Sequence, residues 1–191
     1  KNMTAEMILS ICLGIGLAAS SGFRVFLPLF ALSLTSFFGV LPLSDSWAWL
    51  GSTPALVILA VASMVESVSY LVPVVDNLLD SIALPLAGVA GTLAMAANLT
   101  DMSPALTWAL AIVAGGGTAT AVKGMSAATR AASTVTTAGM ANPVIGLAET
   151  GAAIGLSVLS IFAPLLAVVV AFIGLVVFIV IVVKLKKSVS S

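Results

Sequence analysis

Seven ionisable side chains stand apart from the termini and loops of this chain: Arg24, Glu66, Asp76, Asp80, Lys123, Arg130 and Glu149. They are three bases and four carboxylates set in long apolar runs. A lone charge at the centre of a membrane helix costs about 2.5–3.5 kcal/mol or more, so charges so placed must meet one another or water. Their near-neutral sum suits a mutually paired interior, and the chemistry open to them is the binding of ions and charged groups. Spacing sorts them further. Glu66, Tyr70 and Pro73 recur at i, i+4 and i+7 and share a helical face, so the hydroxyl of the only tyrosine can reach where Glu66 points. Asp76 and Asp80 stand at i, i+4, where like charges repel until a cation or a basic partner relieves them. Lys123 and Arg130 stand at i, i+7 on one face, with Ser126 one turn from Lys123.

Composition limits what these groups can do. Of 191 residues, 61% are hydrophobic and 7% charged, against roughly 45–50% and 25% in soluble domains, so the chain lacks the polar surface of a soluble fold. Seven basic and seven acidic residues cancel, which leaves no basic field for nucleic acid. Histidine, the commonest general base and metal ligand, is absent, and the single Cys12 allows neither an intrachain disulfide nor a thiolate metal site. Lys123 and Ser126 are three residues apart, which is helical adjacency rather than a catalytic dyad. Asp76 and Asp80 share one helix face, whereas intramembrane proteolysis needs carboxylates on facing helices. No phosphate-loop Lys-Ser/Thr follows Gly115-Gly116-Gly117. The chain is therefore read as a non-enzyme without cofactor or metal, whose partners are membrane lipids and an ion or small solute. A homo-oligomer or a larger membrane complex stays open.

The elements that position these groups follow from where the charges fall. Residues 7–23, 25–44, 46–65, 81–100, 102–122, 131–148 and 150–183 carry no charge. With about 20 residues needed per transmembrane helix, the runs predict an all-α polytopic protein of six or seven membrane segments, one transmembrane domain over 1–191. The run from Met7 to Ala19 behind Lys1 has the look of a signal peptide, but Arg24 follows within about a turn and the run is read as a structural helix. Leu41–Pro54, Asn98–Pro104 and Ser133–Pro143 read as loops, the first two with the interfacial aromatics Trp47, Trp49 and Trp108 on or beside them. The Asn98-Leu99-Thr100 sequon stands without any other secretory feature.

A pattern recurs. Gly14 and Gly16 precede Ser20-Ser21-Gly22-Phe23-Arg24, and Gly115-Gly116-Gly117 precede Ser126-Ala127-Ala128-Thr129-Arg130. Glu66 and Glu149 follow in apolar helices, and Pro73 and Pro164 interrupt later ones. Paired interruptions of this kind predict an inverted repeat, 1–100 and 101–187, with broken or re-entrant helices around a site near the membrane midplane. Small-residue motifs also recur through helix packing alone. Lys184, Lys186 and Lys187 predict a cytoplasmic C-terminus, with the Asp45 and Asp101 loops on the other side. One of four segments between Asp101 and the tail would then be re-entrant.

These residues resemble a known family. Ser21-Gly22-Phe23-Arg24-Val25-Phe26-Leu27-Pro28-Leu29-Phe30 looks like its first motif and Trp47-Ala48-Trp49-Leu50 like its loop. Glu66, Pro73, Asp76, Asp80 and Pro85-Leu86-Ala87-Gly88 look like its centre. Lys123-Gly124, Arg130, Ser133-Thr134, Thr136-Thr137, Gly139, Asn142-Pro143 and Glu149 look like its end. The family is the bacterial integral-membrane one known as domain of unknown function 4126. The resemblance implies a bacterial inner-membrane location and that the seven charges form a shared polar core. Tyr70, and the lack of a histidine before Lys123, look like departures from its pattern.

Three functions fit this reading. The first is a small transporter or channel for an ion or small charged solute. Arg24, Lys123 and Arg130 contact an anionic group, Glu66, Asp76, Asp80 and Glu149 bind a coupling proton or cation, and Ser126 and Asn142 complete the binding site. The second is a structural or accessory subunit whose charges are internal ion pairs, and the third is lipid translocation.

Overall fold

The computed structural model describes the backbone of residues 3–100 and 102–189, and within it the side chains other than those of 3–4, 73–74, 76–78, 81 and 185–189. The expectations placed on the side chains of Asp76, Asp101, Lys186 and Lys187 lie outside the described residues. All regular structure among the described residues is helical: α1 Met3–Phe23, α2 Phe26–Phe37, a 3-10 turn Asp45–Gly51, α3 Thr53–Ser69, α4 Pro73–Asn98, α5 Pro104–Leu110, α6 Gly117–Thr137, α7 Asn142–Phe162 and α8 Pro164–Val189. A π-helical stretch, Ala111–Gly116, joins α5 to α6.

Proline sets most of the starts. Pro54, Pro73, Pro104 and Pro143 occupy the first turns of α3, α4, α5 and α7, and α8 opens on Pro164. A first-turn amide needs no intrahelical acceptor, so its loss to the pyrrolidine ring is free there. α3 adds a side-chain cap, the Ala55 amide donating to Ser52 Oγ at 3.3 Å. Pro85 is the exception, inside α4.

Four helical stretches are long and apolar enough to cross a membrane: Ala5–Phe23, Pro104–Thr137, Asn142–Phe162 and Pro164–Lys184. Asp45–Gly51 and Thr53–Ser69, bent by 67° at their junction, make a fifth candidate, and Phe26–Phe37 and Ile82–Asn98 are shorter apolar helices. The molecule is an all-α membrane protein. α2, at 12 residues, extends about 18 Å, little over half of the roughly 30 Å hydrocarbon core.

α1 lies antiparallel to α4 and α7. Ser20 Oγ donates to the Ala153 carbonyl at 2.8 Å and sits 2.8 Å from Ser157 Oγ. On the α4 side Gly14 faces Met95 and Gly91 faces Ala18. α2 then runs back toward the end from which α1 starts, where Ser33 Oγ donates to the Leu50 carbonyl at 2.6 Å. The Ser44 amide donates to the Ala97 carbonyl at that same end. Leu13, Leu17, Leu32, Leu50, Ala94 and Ala97 form an apolar cluster there. The α3–α4 and α6–α7 connections lie at the opposite end, and α8 ends there as well.

Two expectations change. Gly115-Gly116-Gly117 does not interrupt its helix, because the π-helical turn carries the chain through it. The wider turn lets backbone meet backbone: a Cβ on Gly115 would fall 2.6 Å from the Gly91 carbonyl oxygen, and one on Gly91 would fall 2.8 Å from that of Gly115. Ser133–Thr137, expected as loop, is the last stretch of α6. Its hydroxyls fold back on the helix, Thr134 to Arg130 O, Thr136 to Ala132 O and Thr137 to Ser133 O, so polarity here serves the helix instead of ending it. The turn comes at Ala138 and Gly139, both at positive φ. Pro104–Thr137 is thus one continuous stretch, and from Pro104 to Lys184 there are three helical stretches long and apolar enough to cross a membrane, where four segments were expected.

The glycine contacts set a stability test. Gly91→Leu forces α4 from α6 and is expected to cost about 1–3 kcal/mol or more, lowering the unfolding temperature of the detergent-solubilised protein by roughly 2–4 °C per kcal/mol. Gly151→Leu, where a Cβ meets nothing within 4 Å, is expected to leave it unchanged.

Candidate functional site

α1 and α2 end inside the bundle, and the break between them organises the charges. A helix start leaves amide N–H groups unpaired, and no water is available at depth to satisfy them. The Val25 and Phe26 amides donate to the two oxygens of Glu66, at 2.7 and 3.0 Å. Glu66, near the end of α3, therefore caps α2, and its charge suits the positive end of that helix.

Arg24 is fully buried and every guanidinium nitrogen has a partner. Nη1 donates to the Phe23 carbonyl at 3.0 Å and to Glu149 Oε2 at 3.2 Å, Nη2 to the Gly146 carbonyl at 2.6 Å, and Nε to Thr150 Oγ1 at 3.0 Å. Three of these four acceptors lie on α7, so the tip of the hairpin is pinned to one turn of that helix. Gly146 leaves room for it, since a Cβ there would stand 3.3 Å from Arg130 Nη2 and 3.6 Å from Arg24 Nη2.

Glu149 gathers the next group. It accepts from Arg130 Nη2 at 2.5 Å and from Arg130 Nε at 3.2 Å to each oxygen, and Ser126 Oγ donates to it closely. Arg130 also faces Asp80, its Nη1 lying 4.0 Å from Oδ2. Lys123 Nζ donates to Asp80 Oδ1 at 3.0 Å and to the Tyr70 hydroxyl at 3.3 Å. Tyr70 stands among all three cations, with Arg24 Cζ 4.0 Å, Arg130 Cζ 4.7 Å and Lys123 Nζ 5.1 Å from the ring centroid. Each such contact contributes about 0.5–2 kcal/mol through the ring quadrupole.

The structure thus brings Arg24, Glu66, Asp80, Lys123, Ser126, Arg130 and Glu149 together. Glu66 caps backbone amides, and it is Glu149 that holds both arginines. Ser126 is bonded to Glu149 and not to Lys123. Asn142 lies one turn before Gly146, is buried, and donates through Nδ2 to Thr134 Oγ1 at 3.3 Å, while its Oδ1 has no hydrogen-bond partner. Tyr70, Thr150 and Gly146 are the participants absent from the sequence-derived site, and Tyr70's uniqueness was the available signal. Part of the network is also off-centre. Gly146, Glu149 and Thr150 lie 4 to 8 residues from the start of α7, roughly 6–12 Å, and Glu66 and Tyr70 close α3. Gly146, Glu149, Thr150, Glu66 and Tyr70 therefore sit toward the end carrying the α3–α4 and α6–α7 turns, while Lys123 lies near the middle of the Pro104–Thr137 stretch.

Burial within the network is uneven. The side chains of Arg24, Lys123, Arg130 and Glu149 are at most 6% exposed, whereas that of Asp80 is 23% exposed. A lateral cavity of about 490 Å³ also approaches it between α2, α3 and α4, walled by Phe26, Val61, Val65, Ile82 and Leu86, with Glu66 and Tyr70 as its polar members.

Fold and network together define a helical membrane protein built around a compact buried set of opposed charges. The profile of the family described as a domain of unknown function (DUF4126) matches residues 11–184, and the chain belongs to that family. No curated protein and no solved structure matches the chain.

Removing one member of a buried ion pair strands the other, which costs about 3–5 kcal/mol. Arg24→Ala is therefore expected to lower the unfolding temperature by roughly 10 °C, or to prevent recovery of folded protein. Glu66→Gln keeps one of two acceptors and is expected to lose less. Equal unfolding temperatures for Arg24→Ala and wild type in the same detergent would remove Arg24's role as the pin of the hairpin.

Proposed function

We propose that the protein is a small transporter or channel for an ion or small charged solute, with Lys123, Arg130, Tyr70 and Asp80 as its working site. Arg24 and Glu66 hold the hairpin that frames it. The observation that carries this reading is the contrast at Asp80: one carboxylate, 23% exposed, lies between two buried cations, while Arg24, Lys123, Arg130 and Glu149 are at most 6% exposed. Intramembrane ionisable groups mark ion pathways where they face one another, as Asp80 faces Lys123 and Arg130. The protein acts without chemical catalysis, in the bacterial inner membrane. The basic Lys184 region supports a cytoplasmic C-terminus. Because α8 ends at the network's end of the bundle, the site opens toward that compartment.

The same reading treats 1–100 and 101–187 as an inverted repeat. In support, each half contributes an arginine and a glutamate to one network. Against it, the break at Arg24 has no counterpart at Arg130, where α6 runs on.

A structural or accessory role is favoured by Arg24, whose partners are all protein groups, and lipid translocation by the cavity beside Glu66. Proteoliposomes separate the three. Wild type is expected to move at least one ion from a panel of small anions and cations, and Lys123→Met to cut that flux at least tenfold. Asp80 is partly exposed and keeps Arg130 at 4.0 Å in this variant, so the unfolding temperature is expected to fall less than in Arg24→Ala and folded protein to be recovered for the assay. Equal flux in both proteins would remove Lys123 from the site. A wild type with no flux above empty vesicles supports the accessory role, and headgroup movement without ion flux supports translocation.

A further inference from the structure

Asp80 is held differently from the other carboxylates in its surroundings. Glu66 is committed to two backbone amides, and Glu149 to two arginines and a serine. Asp80 presents one oxygen to Lys123 Nζ at 3.0 Å and the other to Arg130 Nη1 at 4.0 Å, the looser of the two arginine contacts with carboxylates on that side. Around it the donors are nearly complete without it: Lys123 Nζ, the Tyr70 hydroxyl and the Arg130 guanidinium all converge, and all three residues are nearly fully buried. A pocket with two cations and a phenol repels a cation and welcomes an anion. Asp80 enters from α4, the only described side chain of the group with substantial exposure, and fills that pocket with a two-oxygen anion.

We infer that Asp80 is a tethered stand-in for the cargo, and that the cargo is a small oxyanion of carboxylate size. It displaces the Asp80 carboxylate from Lys123, Tyr70 and Arg130. The inference rests on the transport reading for calling the anion cargo, and it assigns Asp80 to anion mimicry instead of cation binding. Substitution of one anion for another keeps the charge of the network constant, so neither cation is left bare while the exchange proceeds. The planar guanidinium suits an oxyanion, which it can meet with two parallel N–H groups, better than a spherical halide.

The test is chemical rescue of the full chain in detergent. Asp80→Ala removes the stand-in and leaves its pocket, and formate is the probe. Thermal unfolding is followed against sodium formate and, at equal ionic strength, sodium chloride. Formate is expected to raise the unfolding temperature of Asp80→Ala saturably, on the order of 4 °C at tenfold above its apparent Kd. Chloride is expected to raise it less, and neither wild type nor the Asp80→Ala/Lys123→Met double variant to respond. A formate effect equal to that of chloride, or equal in all three proteins, overturns the inference. If Asp80→Ala gives no folded protein, Asp80→Asn, which keeps the side-chain volume, is held to the same expectations. Rescue in a protein without flux leaves the anion pocket standing and removes the transport reading; flux without rescue removes the anion pocket alone.

Discussion

A helical hairpin that ends inside a membrane protein must satisfy two helix termini where water is absent, and the turn at Arg24 and Val25 is such a place. Glu66 takes the amides of α2 and Arg24 takes a carbonyl of α1, so each terminus meets a side chain of the sign its dipole favours. Neither charge can then stand alone. Arg24 carries a full positive charge with no exposed surface, which obliges α7 to supply Gly146, Thr150 and Glu149 around it. Glu149 in turn draws Arg130 and Ser126 from α6, and Arg130 faces Asp80 from α4. The charged core is in this sense a consequence of turning the chain between α1 and α2 beside buried partners.

Its members nonetheless fall into two groups by how firmly they are held. Around Arg24, Glu66 and Glu149 the contacts are short, several per group, and include backbone. Around Asp80 they are fewer, and one is 4.0 Å long. Tyr70 joins the groups, since its ring lies beside all three cations while its hydroxyl meets only Lys123. An aromatic face attracts cations without neutralising them, which lets three approach one point provided carboxylates stand on the far side. Glu149 and Asp80 supply those.

Much of this was legible in the sequence because membrane burial makes charges expensive and hence sparse. Their positions marked the helices, and seven of the nine site residues converge on one network; Pro73 and Pro164, expected to interrupt helices, instead open α4 and α8. What stayed hidden has physical causes. Glu66 has backbone amides as partners, and a side-chain inventory cannot reveal a backbone partner. Gly115-Gly116-Gly117 and Ser133–Thr137 carry the composition of breaks, yet a π-helical turn and i−4 hydroxyl bonds keep both helical. The two halves also differ in a way composition hid, since α1 breaks at Arg24 while α6 runs on past Arg130. Against six or seven expected segments, four helical stretches, or five with the bent pair, are long and apolar enough to cross, and Phe26–Phe37 and Ile82–Asn98 are shorter.

Electroneutrality limits what such a core can handle. Among the described side chains of the network, Arg24, Lys123 and Arg130 balance Glu66, Asp80 and Glu149. An added cation or anion would unbalance a region where an uncompensated charge costs several kcal/mol. A mobile ion can be accommodated by arriving with a counter-ion, by accompanying a proton, or by exchanging places with a group already there. The first needs room for two ions, and the cavity that reaches Glu66 and Tyr70 is otherwise walled by apolar side chains. The second adds a neutral pair and requires a carboxylate that can release its partners to accept the proton; Glu149, held by Ser126 and both arginines, is poorly placed for that. Exchange needs only a member with few bonds and a way out, and the geometry at Asp80 meets both conditions.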